Sequence, residues 1–475
     1  MNTPTIWIIF PGIAAVILYL LRRWKRAINL AGVVLALLLA WLAWKLPIGE
    51  TLSLGPFTQL PSINLTDTMT ILGRRFILDA ASRPFLIFIY LGIALWFGGA
   101  YIARTGILFV PVGLAVAALL TAALAVEPFL FAALLIEMAA LACLPILSPP
   151  GKPVGRGVLR FLTFQTLGVP FILYAGLLLS GVQTTPENPS LVIRIAILMV
   201  LGFAFFTAIF PFHTWIPMIA EEANPYTAAF VFFFIPGIVS LFALEFLNRY
   251  PWLQAEPGVS TALSFLGVLM VSIGGIWAAF QRHLGRILGY AAIVEIGLSL
   301  LAISLGAGRT ANPDLQNLFF ALFLPRGVGL AIWALALATL QAQVKDLSFR
   351  SVQGLARRSP VAASSLLLAN FSLAGFPLLA SFPIDVALWT ALSSQSLSVA
   401  LLVLLGFIGL LFAGFRTLAV LVMGQENEDW RITETRPQLL LLGMGMGMLF
   451  LIGLLPQWFM PMMINMAQIL RGGGG

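Results

Sequence analysis

Glu137, Glu295, Arg326, Asp385 and Arg416 stand inside stretches of apolar sequence long enough to cross a bilayer, and His213 stands just beyond the end of one. Glu137 lies midway along the otherwise uncharged run EPFLFAALLIEMAALACLPIL. A carboxylate at that depth costs about 3 kcal/mol or more, so a chain that keeps one commonly uses it. Glu295 sits within RILGYAAIVEIGLSLLAI, Arg326 directly after a proline in FFALFLPRGVGLAIW, Asp385 just beyond FSLAGFPLLASFPI, and Arg416 within LLFAGFRTLAVLV. His213, in FPFHTWIP, adds an imidazole, whose ordinary pKa of about 6.5 suits proton exchange near neutral pH. Read as chemistry, these side chains are a file of acids and bases that passes protons through a helical bundle. Read as architecture, they are two or three buried ion pairs that lock helices together. Glu127 and Glu245, near the ends of their runs, are expected only to reach the headgroups, and His283 to mark a cytoplasmic connection.

The elements that carry these residues are set by composition. The chain has 475 residues, 60% hydrophobic and 9% charged, with a mean hydropathy of +1.01. A soluble domain carries about 25% charged residues, so that class is excluded. Apolar blocks of about twenty residues match a hydrocarbon core of about 30 Å. The expected architecture is therefore all-α and polytopic, with about 14 transmembrane helices if the block 384–423 is one helix plus a re-entrant or interfacial stretch. The net charge of +8 reflects arginines between the blocks, which are topology signals rather than a nucleic-acid footprint. The first block is followed at once by RRWKR with no small-residue cleavage site, so it reads as a span and not a removable leader. A single cysteine, Cys143, excludes an internal disulfide, a cysteine-held iron–sulfur cluster and a thiolate zinc site within the chain.

Arg22, Arg23, Lys25 and Arg26 place the first connection in the cytoplasm. Alternation then puts Arg104, Lys152, Arg156, Arg160, Arg282, Arg286, Lys345, Arg350, Arg357, Arg358, Arg431 and Arg436 on the same side. Both termini are expected on the other side, with the long loop 47–83. Four parts follow: helices within 1–126, a half at 127–255, a second at 256–425, and a last helix with its tail at 426–475. Prolines within spans, Pro236, Pro325 and the Pro377/Pro383 pair, predict kinks or breaks. In transporters such breaks often line a hydrated path.

Four strings together resemble the antiporter-like membrane subunits of respiratory complex I and of related multisubunit cation/proton antiporters. FPFHTWIPMIAEEANPYTAAF is similar to that family's break-and-loop between its seventh and eighth helices. RILGYAAIVEIGLSLLAI is similar to its tenth helix, and GLARRSPVAASSLLLANFSLAGFPLLASF to its twelfth with the preceding loop. Glu137 falls where the family carries a fifth-helix glutamate. The resemblance implies two inverted five-helix repeats, each with a broken helix, and a charged axis at mid-membrane driven by redox chemistry elsewhere in the complex. It implies no cofactor in this chain. Flavin, iron–sulfur clusters and quinone would lie in partner subunits, and an apolar flank would pack against neighbouring membrane subunits in a prokaryotic cytoplasmic membrane.

The departures from that pattern are specific. Where the resemblance expects lysines on the seventh and eighth helices, the chain has Phe206 and Val239; where it expects a tenth-helix histidine, it has Glu295. Arg326 stands for the eleventh-helix lysine and Asp385 for the twelfth-helix lysine or glutamate. His213 and Trp215 fit the loop, whereas Met218 and Ala220 replace an aspartate and a histidine. The resemblance thus implies a proton path through Glu137, Glu295, Arg326, Asp385 and His213 whose first half lacks its lysines. The alternatives are a scaffold that kept the fold and lost the pump, and a subunit of a cation/proton antiporter.

Overall fold

A computed structural model describes residues 2–46, 48, 51–52, 63–64, 66–148, 151, 153–179, 189–307, 315–423 and 432–472. Lys152, Arg431, much of the loop 47–83 and the end of the C-terminal glycine run lie outside the described residues. Among those described, ten helices are long and apolar enough to cross a membrane, and four shorter apolar helices accompany them. The expected fourteen spans are therefore not fourteen equal rods.

The helices follow in order as α1 (Phe10–Leu20), α2 (Lys25–Lys45), α3 (Arg83–Ala100), α4 (Phe109–Ala125), α5 (Ala132–Ala142) and α6 (Arg156–Leu179). Then come α7 (Pro189–Phe206), α8 (Trp215–Glu222), α9 (Pro225–Arg249), α10 (Pro257–Phe280) and α11 (Leu284–Leu305). The chain continues with α12 (Gln316–Ala321), α13 (Phe323–Gln341), α14 (Pro360–Leu373), α15 (Phe382–Gln395), α16 (Leu397–Val422), α17 (Arg436–Leu454) and α18 (Met460–Gly472). The block at 384–423 is two helices, α15 and α16, separated at Ser396, whose side chain caps α16.

Burial sorts these helices. The apolar stretch of α11 is 100% buried and that of α13 94% buried, against 17% for α17. A helix apolar on every side belongs in a protein core or in lipid. Here α9, α11 and α13 form the core, while α2, α16 and α17 present leucines, phenylalanines and methionines outward. The α10–α16 wall is closest of all. A Cβ placed on Gly275 would stand 2.6 Å from the carbonyl carbon of Gly406, and one on Gly409 2.8 Å from the backbone nitrogen of Ile276. The two backbones touch with no side chain between them.

Two helices are broken, and local sequence explains both. After α7 the chain leaves helical geometry through Ala208 (φ 57°) and the cis Phe210–Pro211 bond, turns at Phe212–Thr214 and resumes as α8. After α14 it passes through Gly375 and Leu378, both at φ 70°, and resumes as α15 with Pro383 in its first turn. Pro236 and Pro170, by contrast, sit inside continuous helices. Helix starts are capped where sequence provides it. Asn224 accepts from the backbone N–H groups of Tyr226 and Thr227 at 3.0 and 3.3 Å. The start of α14 is instead capped from a distance: Glu434 accepts from Ala362 N at 2.6 Å and Val361 N at 3.3 Å.

At the end opposite the basic connections, the hairpin β3 (Thr68–Ile71) and β4 (Arg74–Ile77) pairs with β5 (Val126–Glu127) into a three-stranded antiparallel sheet. A separate pairing of β1 (Thr51–Leu52) with β2 (Ile63–Asn64) lies in the partly described loop. The sheet is tied to the helices by Glu127, which lies 3.8 Å from Arg75 and 3.7 Å from Arg249. Arg249 also meets Glu245 at 3.2 Å. Glu127 and Glu245 therefore serve the surface, as their positions near the run ends imply.

Candidate functional site

The second break places three of the sequence-predicted side chains together. Glu295, in the middle of the wholly buried α11, faces Arg326 in the first turns of α13. Arg326 Nε donates to Glu295 Oε2 at 3.0 Å. Its Nη2 donates to the Glu295 backbone carbonyl at 2.5 Å and to Ser299 Oγ at 2.6 Å. Ser299, one turn beyond Glu295, in turn donates to the same carbonyl at 3.2 Å. The guanidinium also lies over the Phe323 ring, 5.7 Å from its centroid. Both members of the pair are about 3% exposed.

Asp385 is equally buried and sits in the first turn of α15, its backbone N–H bonded to Ser381 O at 2.9 Å. Neither carboxyl oxygen makes a hydrogen bond among the described residues, and α15 packs against α11, the helix that carries Glu295. Gly375 makes the close approach possible: a Cβ there would come within 3.3 Å of Asp385 Oδ2. The cluster thus holds two carboxyl groups and one guanidinium. Arginine keeps its proton under all ordinary conditions, so only the two acids can exchange one.

Along α14, Ser365 Oγ, Asn370 Oδ1 and Ser372 Oγ are buried and make no hydrogen bond among the described residues. Buried polar atoms are ordinarily satisfied by protein or by internal water; Ser365 and Ser372, seven residues apart, share one face of α14, while Asn370 lies on another, against Gly414 of α16. These groups went unremarked in the sequence because single serines and one asparagine in an apolar helix carry no periodic signal. Ser299 could have been found from its four-residue spacing to Glu295.

Glu137 and His213 do not join the cluster. Glu137 is half-buried on α5 between exposed Leu134, Met138 and Leu141. It makes no ion pair or side-chain hydrogen bond among the described residues. Phe206 and Val239, where lysines were expected, are fully buried. The backbone carbonyl that the break frees at Phe206 is taken by Gln165 Nε2 at 3.2 Å. His213 is buried beside the first break, its ring 3.8 Å from that of Phe210 and 5.5 Å from that of Trp277, and its Nδ1 meets no hydrogen-bond criterion among the described residues. Arg416 also lies apart. It donates to the Ala279 carbonyl at the end of α10, a structural cap rather than a member of the file.

The sequence profile of the NADH:quinone oxidoreductase/Mrp antiporter transmembrane family matches residues 161–425, more than half of the chain. The chain belongs to that family. Residues 161–425 contain both breaks and the whole Glu295–Arg326–Asp385 cluster. Among curated family members, NADH-quinone oxidoreductase subunit N 2 of Acidobacterium capsulatum is 28% identical over 246 residues, covering 48% of each chain. Subunit N of Psychrobacter arcticus is 30% identical over 244 residues, covering 50% of this chain and 48% of its own. The chain spans about half the length of the curated relatives it matches. Solved structures of the same fold extend over nearly all of it. A chain of the archaeal membrane-bound sulfane sulfur reductase superposes with a TM-score of 0.79 at 16% identity, covering 98% of this chain and 97% of that one. A chain of respiratory complex I from Thermus thermophilus gives 0.72 at 19%, covering 97% and 99%. With its ten apolar spans, this family member is a multi-pass integral membrane protein.

Proposed function

We propose that this chain is a membrane-arm subunit of a complex I-type, redox-driven proton pump, and that its working proton path lies in the second half, through Glu295, Arg326 and Asp385. The observation that supports this is the buried cluster beside the α14–α15 break, with two acids to one permanent cation. With both acids ionised the cluster carries a net negative charge in a region where an uncompensated charge is costly. One proton balances it. In the arrangement observed, Arg326 holds Glu295, and the balancing proton belongs on Asp385. A proton reaching Glu295 from the basic, cytoplasmic end would weaken its hold on Arg326. The guanidinium would then favour the Asp385 carboxylate, and the Asp385 proton would leave. The Ser365 and Ser372 hydroxyls, on one face of α14, would supply groups for a chain of water to join.

Flavin, iron–sulfur clusters and quinone would belong to partner subunits, so redox catalysis would happen outside this chain. Its neighbours would be other membrane subunits of the oxidoreductase in the prokaryotic cytoplasmic membrane, meeting its exposed apolar faces. Glu137, half-exposed at mid-helix on such a face, would be covered by one of them. For the first half alone, the scaffold reading is favoured, because Phe206 and Val239 stand where lysines are expected and Glu137 lies apart from His213 on an outer face.

The test is redox-driven proton uptake by the reconstituted complex carrying Glu295→Gln or Asp385→Asn. Reduced proton stoichiometry with assembly and electron transfer retained supports the proposal. Unchanged stoichiometry in both variants would make the whole chain a scaffold.

A further inference from the structure

Arg416 is an intramembrane charge that the Glu295 cluster does not use. Its helix, α16, has 26 residues, about 39 Å at 1.5 Å per residue, longer than a hydrocarbon core of about 30 Å. Arg416 lies about 9 Å before the end of that helix at Val422, near the depth where acyl chains give way to headgroups. Its Nη1 caps the Ala279 carbonyl, and its guanidinium lies over the Phe349 ring, 5.3 Å from the centroid. These contacts fix the side chain without any carboxylate.

Two more arginines come to the same corner through the backbone. Phe349 N donates to Arg282 O at 2.9 Å, which brings the backbones of Arg282 and Arg350 to the same corner, and both side chains are exposed. None of the three arginines joins an ion pair among the described residues. Among the described residues, the acids of the neighbouring loops have partners of their own. Asp346 Oδ1 accepts from Ser348 N and Oγ at 3.0 and 2.7 Å, and Glu221 pairs with Arg286 at 2.6 Å. On the membrane side stand the outward rings of Phe280, 73% exposed, and Phe415, 53% exposed.

We propose that this corner, where the end of α10 meets α16 and the loop after α13, binds one anionic phospholipid of the cytoplasmic leaflet. Its phosphate would lie on Arg416, Arg282 and Arg350, and its acyl chains along Phe280 and Phe415. Guanidinium groups suit phosphate because they can donate two parallel hydrogen bonds to it. Arginines in connecting loops are ordinary topology signals. An arginine set into a span, fixed in place and lacking a carboxylate, is not.

The purified full-length chain, stripped of lipid in mild detergent, is titrated with phosphatidylglycerol or phosphatidylcholine, and bound lipid is counted by native mass spectrometry. Phosphatidylglycerol should be retained as a single bound molecule and phosphatidylcholine should not. Removing each exposed arginine should weaken phosphatidylglycerol by about fivefold, so the double variant Arg282→Gln/Arg350→Gln should lose about twenty-five-fold. That double variant leaves the Arg416 cap of α10 intact, so its loss would not reflect unfolding. Arg416→Lys should bind less phosphatidylglycerol than wild type while keeping the fold. Equal binding of the two lipids, an unchanged affinity in the double variant, or full displacement of the lipid by excess inorganic phosphate would each overturn the proposal.

Discussion

At the first break the helix ends in a buried phenylalanine, the freed carbonyl of Phe206 is taken by Gln165, and the nearest titratable group is His213, packed between aromatic rings. At the second break the helix ends beside Gly375, a carboxyl group without a hydrogen bond faces the gap, and a guanidinium–carboxylate pair stands behind it. The two breaks use the same backbone device: residues at positive φ followed by a proline-led restart. What differs is the filling. Around the first, Phe164, Phe205 and Phe212 form an aromatic cluster with centroids 4.3–5.8 Å apart. A helix break alone therefore does not make a proton path. It frees backbone groups, and the side chains around it decide whether water or phenyl rings meet them.

The comparison predicts its own tests. The largest effect should come from Arg326→Met, which leaves Glu295 buried without its cation. Breaking a buried pair this way costs about 3–5 kcal/mol, seen as a large drop in the thermal unfolding midpoint of the detergent-solubilised protein. The double variant Arg326→Met/Glu295→Gln should recover much of that loss, and failure to recover would mean that Arg326 acts chiefly through packing. Next come the pumping variants. Asp385→Asn should lower the proton stoichiometry of the reconstituted complex, whereas Glu137→Gln should leave it unchanged. Equal loss in both would break the comparison and restore the first half as a channel. Smaller still is Gly375→Ala. Its left-handed backbone penalises a side chain by about 1–2 kcal/mol, and the new methyl would press on Asp385. The expected reading is modest destabilisation with slowed proton uptake, while alanine at Gly98, with open space around its Cβ position, should change little. The smallest effect concerns Asp346, in the exposed loop leading to α14. Hydrogen bonds from Ser351 and Ser348 hold its carboxyl down at about 2. Its contribution is present above the ordinary aspartate pKa of about 3.9 and is lost as pH falls through about 2. Asp346→Asn should abolish that dependence in amide-exchange protection of the loop.

Much of this contrast was legible in the residues themselves. Glu295, Arg326 and Asp385 stood out because charge is rare in apolar sequence, and the proline pair marked the second break before any coordinates did. Which acid faced the arginine was not legible, since Glu137 and Glu295 look alike in one dimension and differ only in whether their helix lies inside the bundle or at its edge. Arg416 was grouped with the relay for the same reason: sequence reports that a charge lies within a span, not which helix end it reaches. The supporting serines and Asn370 were silent because their significance depends on the absence of partners, a property of packing alone.

Where two backbones meet at Gly275, Gly406 and Gly409, there are no side-chain rotamers to rearrange and no void to collapse, so that seam has almost no mechanical compliance. The Glu295–Arg326–Asp385 cluster is flanked on one side by a stiff plank and on the other by a helix already interrupted. If the cluster works as the proposed proton path, strain generated there would be directed toward the α14–α15 break, the softer spring of the two.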